Sequence, residues 1–137
     1  MIPPHQGFVN TPPKIYYIKL EGILPVLGKH FLLDLKDCDE RLIDELEHLR
    51  NVLISASKKM GGDILKENFF RFEPQGVSGM VLSTGSHISI HTWPEYKYAA
   101  VDIFTHTESP EEEEAIKDII KGLSSKSPSI VELKRGT

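Results

Sequence analysis

Two of the six histidines stand in one short run, Ser86-His87-Ile88-Ser89-Ile90-His91-Thr92-Trp93, and a third, His106, ends the next apolar stretch. Read as a strand, the run alternates: His87, Ser89, His91 and Trp93 share one face, while Ile88 and Ile90 take the other. Hydroxyl and imidazole groups on one face supply a nucleophile and proton carriers. They do not suit a metal. His87 and His91 are four residues apart, about 13 Å along a regular strand, whereas zinc ligands converge at roughly 2.0–2.1 Å from one ion. If the following hairpin bends symmetrically about Tyr96-Lys97, His87 faces His106 and His91 faces Asp102. Asp102 would then orient His91, and His106 would lie beside Ser86. A Ser-His-Asp hydrolase is one label for such a set, but no Gly-x-Ser-x-Gly elbow accompanies it. The plain alternative is a polar, solvated sheet face with no site.

Strands and helices must position these side chains. Residues 1 to 14 hold four prolines, Gly7 and Asn10 without apolar periodicity, and read as an irregular arm. Ile15 to Leu20 is β-prone and suits an edge strand, and Gly28 opens a strand over His30 to Leu35. Leu42, Leu46, Leu49, Leu53, Ala56 and Met60 recur at steps of four and three, which predicts a helix from about Glu40 to Met60. Asp39 is placed to cap it, and Gly61-Gly62 to end it. Strands follow over Ile64 to Phe72 and Val77 to Ser83, then a hairpin from about His87 to Thr105. Ser109, Pro110 and Glu112 form the start signal of a second helix, with Ile116, Ile119, Ile120 and Leu123 on its buried face. Ile130 to Leu133 reads as a last strand. Hairpin-length connections favour an α+β fold: a two-layer sandwich of an antiparallel sheet with two helices on one face. Residues 1–27 form the arm and 28–137 the domain. The uncovered sheet face is a natural docking place for a second copy.

With 137 residues, 39% hydrophobic and 26% charged, the chain has the balance of one globular domain. A net charge of -4 gives no reason to expect nucleic acid. No apolar run reaches the roughly 20 residues needed to span a bilayer. Met1-Ile2-Pro3-Pro4-His5 does not read as a secretory signal. The single cysteine, Cys38, excludes an internal disulfide and suits the cytoplasm.

Ser86-His87-Ile88-Ser89-Ile90-His91-Thr92-Trp93-Pro94-Glu95-Tyr96 resembles the signature of the prokaryotic S-adenosylmethionine decarboxylases. The likeness continues through Tyr98-Ala99-Ala100-Val101-Asp102-Ile103-Phe104-Thr105. Upstream it takes in Phe72-Glu73-Pro74-Gln75-Gly76-Val77-Ser78-Gly79, and it covers roughly residues 28 to 123. The resemblance implies a proenzyme that cuts itself between Gly85 and Ser86. Ser86 becomes a covalent pyruvoyl group, which takes the substrate amine as a Schiff base and acts as electron sink during loss of carbon dioxide. By position, Ser78 and His91 assist processing, and His106 stands at the catalytic proton donor. Phe72, Trp93 and Glu95 lie near the nucleoside of S-adenosylmethionine, two aromatics for adenine and a carboxylate for ribose. The product is the aminopropyl donor for spermidine synthesis, and the cleaved protomers pair as a homodimer. Two positions depart from the family pattern: Gly85 replaces a usual Glu, and His106 a usual Cys. Imidazole can donate a proton near neutral pH. Those departures keep two alternatives in view, a decarboxylase of the same fold acting on arginine or ornithine, and an unprocessed relative that binds a ligand or partner.

Overall fold

The structure, a computed structural model, describes residues 17–20, 26–106 and 111–136. In chain order the elements are β1 (Tyr17–Leu20), β2 (Gly28–Lys36), α1 (Leu46–Met60), β3 (Ile64–Arg71), β4 (Val77–Ser83), β5 (Ser86–Trp93), β6 (Tyr98–Thr105), α2 (Glu112–Gly122) and β7 (Ser127–Arg135). The strands form one sheet in the order β1-β7-β2-β6-β5-β4-β3. From β7 to β3 every neighbouring pair is antiparallel. The expected edge strand is present as β1, and it joins β7 in parallel.

Alternation decides which side of the sheet is covered. Phe31, Leu33 and Leu35 of β2, Ile88 and Ile90 of β5, and Val101 and Ile103 of β6 are buried on one face. Leu49, Leu53, Ala56 and Met60 of α1 and Ala115, Ile116 and Ile119 of α2 complete that core. The other face has no helix among the described residues, and Phe70, Phe72, Met80 and Leu82 are exposed on that side. This is the two-layer sandwich that the periodicity predicts.

Two details differ from expectation. The first helix begins at Leu46 rather than near Glu40. The Asp39 carboxylate does cap, but it accepts the N–H groups of Arg41 (2.9 Å) and Leu42 (3.3 Å) and closes a 3₁₀ turn, Leu42–Asp44. Glu45 then becomes extended, and Asp44 is held away from α1 by Arg71 (2.9 Å) and the Gly76 N–H (2.8 Å). The hairpin register also differs. A 3₁₀ turn over Pro94–Tyr96, closed by Lys97 in the left-handed region (φ 52°), pairs Trp93 with Tyr98. The bend therefore centres one residue earlier than Tyr96-Lys97, and every pairing slips by two. A two-residue slip keeps each side chain on its face but changes its partner. Asp102 lies opposite Ser89, and His91 opposite Ala100. Asp102 meets His30 at 3.6 Å, so it does not orient His91.

The expected helix cap at Ser109-Pro110 lies outside the described residues, as do residues 1–16 of the arm. α1 ends as the sequence predicts, at Gly61 and Gly62, whose φ values of 96° and 88° are costly for residues with a Cβ.

Candidate active site

β4 and β5 are joined by only Thr84 and Gly85, so Ser86 begins a strand at the tip of a tight hairpin. The tip is tied to the chain after α1: the Thr84 N–H donates to the Asp63 carbonyl (2.9 Å), and the Asp63 N–H to Thr84 Oγ1 (3.0 Å). Ser83, Gly85 and Ser86 are buried. The Gly85 carbonyl accepts two hydrogen bonds, from the His106 N–H at 3.0 Å and from Thr105 Oγ1 at 3.3 Å. Ser83 Oγ lies 3.0 Å from Ser86 Oγ, 3.1 Å from the Ser86 carbonyl oxygen, and accepts the Ser86 N–H at 3.1 Å.

That arrangement has a definite chemical meaning. Two fixed donors on one carbonyl oxygen are placed to stabilise negative charge developing there. The carbonyl belongs to the residue before a serine, so the serine hydroxyl can close a five-membered ring on its carbon. An amide with both features can pass to an ester at that bond.

The open sheet face beside this junction forms a pocket lined by Leu82, Ser83, Ser86, His87, Phe104, His106 and Arg135. His87 stacks on Phe104, with ring centroids 5.8 Å apart and planes 12° apart. The sequence expectation that His106 comes beside Ser86 therefore holds, although its partner across the ladder is not His87. Phe104 is the residue opposite His87.

The remaining residues singled out by sequence gather elsewhere. Ser78 Oγ and His91 Nδ1 are 2.7 Å apart on neighbouring strands. Trp93 packs on Tyr98 (5.4 Å) and beside His91 (6.5 Å). Phe72 packs edge-on against Phe70 at 4.9 Å and is 46% exposed, so it is not a core aromatic. Glu95 is exposed in the 3₁₀ turn. Burial, followed by its hydrogen bond to the Asp34 carboxylate, holds the Tyr98 hydroxyl above its ordinary pKa. Ser86 and His91 are five residues apart on β5, about 16 Å along the strand. Within one chain there are thus two groups at opposite ends of the same hairpin. Gly85, Ser86 and His106 form one; Ser78, His91, Trp93, Glu95 and Phe72 form the other.

Ser83, Thr105 and Arg135 were not distinguished by sequence. Thr105 is directly opposite Ser86 in the ladder, a relation that a correct hairpin register would have revealed.

The family described as S-adenosylmethionine decarboxylase matches residues 29–136 of the chain. An S-adenosylmethionine decarboxylase proenzyme of Thermodesulfovibrio yellowstonii is 47% identical over 110 residues, covering 80% of this chain and 82% of the relative. Another of that name, from Pyrococcus abyssi, is 34% identical over 113 residues, covering 82% and 81%. Among solved structures, the adenosylmethionine decarboxylase from Aquifex aeolicus superimposes with a TM-score of 0.77 at 35% identity, over 83% of this chain and 94% of that one.

Proposed function

The chain belongs to the S-adenosylmethionine decarboxylase family, and from that premise we propose that it makes its own catalytic group by cleavage between Gly85 and Ser86. It is a carboxy-lyase acting on S-adenosylmethionine, and its product is the aminopropyl donor for spermidine synthesis. The observation that carries the processing proposal is the doubly hydrogen-bonded Gly85 carbonyl one residue before a buried serine.

The steps follow from this chain's own groups. Ser86 Oγ attacks the Gly85 carbonyl carbon while Thr105 Oγ1 and the His106 N–H hold the developing oxyanion. The hydroxyl proton passes to the Ser86 nitrogen, the C–N bond breaks, and an ester joins Gly85 to the Ser86 side chain. A base takes the Ser86 Cα proton, a task that the processing assignment of His91 gives to its imidazole, and the Gly85 carboxylate leaves to give a dehydroalanine. Its imine tautomer takes up water and releases ammonia, giving a pyruvoyl terminus on residues 86–137. The donor set fits this group: Ser83 and Thr105 offer hydroxyls at the junction, and the adjoining pocket opens on Ser86. Once formed, the ketone supplies an electron sink for the pair of electrons left when carbon dioxide departs. The His106 side chain, on the pocket wall, supplies the proton that replaces the lost carboxyl.

Ser78 and His91 are assigned to processing, and Phe72, Trp93 and Glu95 to the nucleoside, on the strength of the family pattern. Their distance from Ser86 within one chain is reconciled by a homodimer. If two copies stack their open sheet faces about a two-fold axis, with hairpins running oppositely, each copy's Ser78–His91 end lies over the other's Ser86 end. The exposed Phe70, Met80 and Leu82 on that face favour such an interface. No described helix is long and apolar enough to cross a membrane, and the buried free Cys38 suits a cytoplasmic setting.

Carboxyl-labelled substrates test the activity. The purified protein should release labelled carbon dioxide from S-adenosylmethionine, and neither from arginine nor from ornithine. Ser86→Ala should release none. Release from arginine or ornithine instead would transfer the enzyme to another substrate class.

A further inference from the structure

S-Adenosylmethionine carries one anionic group, the α-carboxylate, on the same carbon as the amine that must reach residue 86. Whatever holds that carboxylate must therefore line the pocket over Ser86. The residues lining this pocket include three basic side chains, His87, His106 and Arg135, and no carboxylate.

Arg135 ends β7 and pairs with Gly28 of β2. The adjoining pair is Lys29 with Thr105, so one further step along the ladder sets Gly28 beside His106. Arg135 and His106 thus flank Gly28 on the open face, two strand spacings or about 10 Å apart. Gly28 has no side chain to fill the gap. A Cβ there would come within 2.7 Å of Phe104 Cζ, so the Phe104 ring lies over the glycine and floors the space between the two basic residues. Arg50 and Arg71 are committed to carboxylates of neighbouring elements. Arg135 has no ion pair among the described residues, is exposed, and lines this pocket.

From this placement we infer that Arg135 binds the α-carboxylate of the substrate, an assignment that rests on the decarboxylase reading above. A guanidinium is always charged and presents two parallel N–H donors to a carboxylate. Histidines beside it carry charge only when protonated. By holding the carboxylate beside Phe104, Arg135 leaves the amine directed toward residue 86.

The test compares Arg135→Gln and Arg135→Lys with the wild-type protein, each first checked by intact mass for cleavage. Arg135→Gln should raise KM for S-adenosylmethionine on the order of 10- to 100-fold, the usual loss for a charge-assisted pair. Arg135→Lys should recover part of it. The decarboxylated product, which has no carboxylate, serves as competitive inhibitor, and its inhibition constant should be the same for all three proteins. An unchanged KM, or an equal weakening of the product, would remove the carboxylate role from Arg135. Failure of both variants to cleave would reassign the residue to processing. A wild-type protein that cleaves but does not decarboxylate S-adenosylmethionine would instead overturn the substrate reading on which the inference rests.

Discussion

On the processing proposal, backbone and side chain of one residue have separate tasks at the Gly85–Ser86 junction. The His106 N–H donates to the carbonyl that is to be attacked, whereas its imidazole lines the pocket. His106→Ala keeps the backbone donor, so it should still cleave and then turn over slowly, about 100-fold below wild type or less. His106→Pro removes the donor and should impair cleavage itself. Time courses of chain cleavage and of carbon dioxide release separate the two; equal loss of both in His106→Ala would merge the roles. Thr105→Val should slow cleavage by roughly 100-fold, since removal of one oxyanion donor commonly costs that much. Ser86, Gly85 and His106 were legible because a histidine-bearing strand and a family signature converge on them. Thr105 and Ser83 were not, because their hydroxyls become meaningful only once the hairpin register is known, and Arg135 lies in a different strand 49 residues beyond Ser86.

Elements matter here through their ends. The strand over Val77 to Ser83 and the hairpin from about His87 to Thr105 were expected, and the two-residue connection between β4 and β5 puts the Gly85–Ser86 bond where a strand begins. The two-residue slip at Pro94–Lys97 was not legible, because turn geometry, not side-chain pattern, fixes it. The start of α1 was misplaced for a related reason: Asp39 is a good cap, and only the tertiary bonds of Asp44 show that it caps a separate turn. Close packing within the hairpin also yields a stability prediction. A Cβ at Gly79 would lie 2.0 Å from Cδ2 of Phe69, its cross-strand partner. Gly79→Ala should therefore destabilise the fold by about 1–3 kcal/mol, the usual range for overpacking, measured by urea unfolding; an unchanged midpoint would mean that Phe69 moves freely. Beyond the end of β2, burial pushes the Cys38 thiol up from 9.0 to about 12, aided by the neighbouring Asp37 and Asp39 charges. The folded state holds that proton more tightly than the unfolded chain. Its stabilising contribution is complete below the ordinary thiol range and is lost as pH rises from about 9 towards about 12. At pH 8 an alkylating reagent should label Cys38 only after unfolding, and rapid native labelling would contradict this burial.

In the whole molecule, the proposed cleavage between Gly85 and Ser86 would not divide the sheet into two bodies. β2 belongs to the first fragment yet lies between β6 and β7 of the second, and β5 of the second pairs with β4 of the first. The fragments should co-purify until denatured. The fold class was legible at this scale because hairpin-length connections and two amphipathic helices restrict the layers. The separation of the two residue groups was implicit in the strand rise that already keeps His87 from His91, but the place of Ser78 beside His91 needed the β4–β5 register. Co-expression of Ser86→Ala with His91→Ala chains tests the homodimer that reconciles them. In mixed dimers the His91→Ala chain should be cleaved with help from its partner, although alone it cleaves slowly; no gain on mixing would return His91 to its own chain. Intact-mass spectrometry of the freshly purified, denatured protein shows whether it makes its catalytic group at Ser86. Two fragments dividing between Gly85 and Ser86 are expected, with the smaller bearing a pyruvoyl end. A single full-length mass that persists on prolonged incubation would contradict the processing proposal.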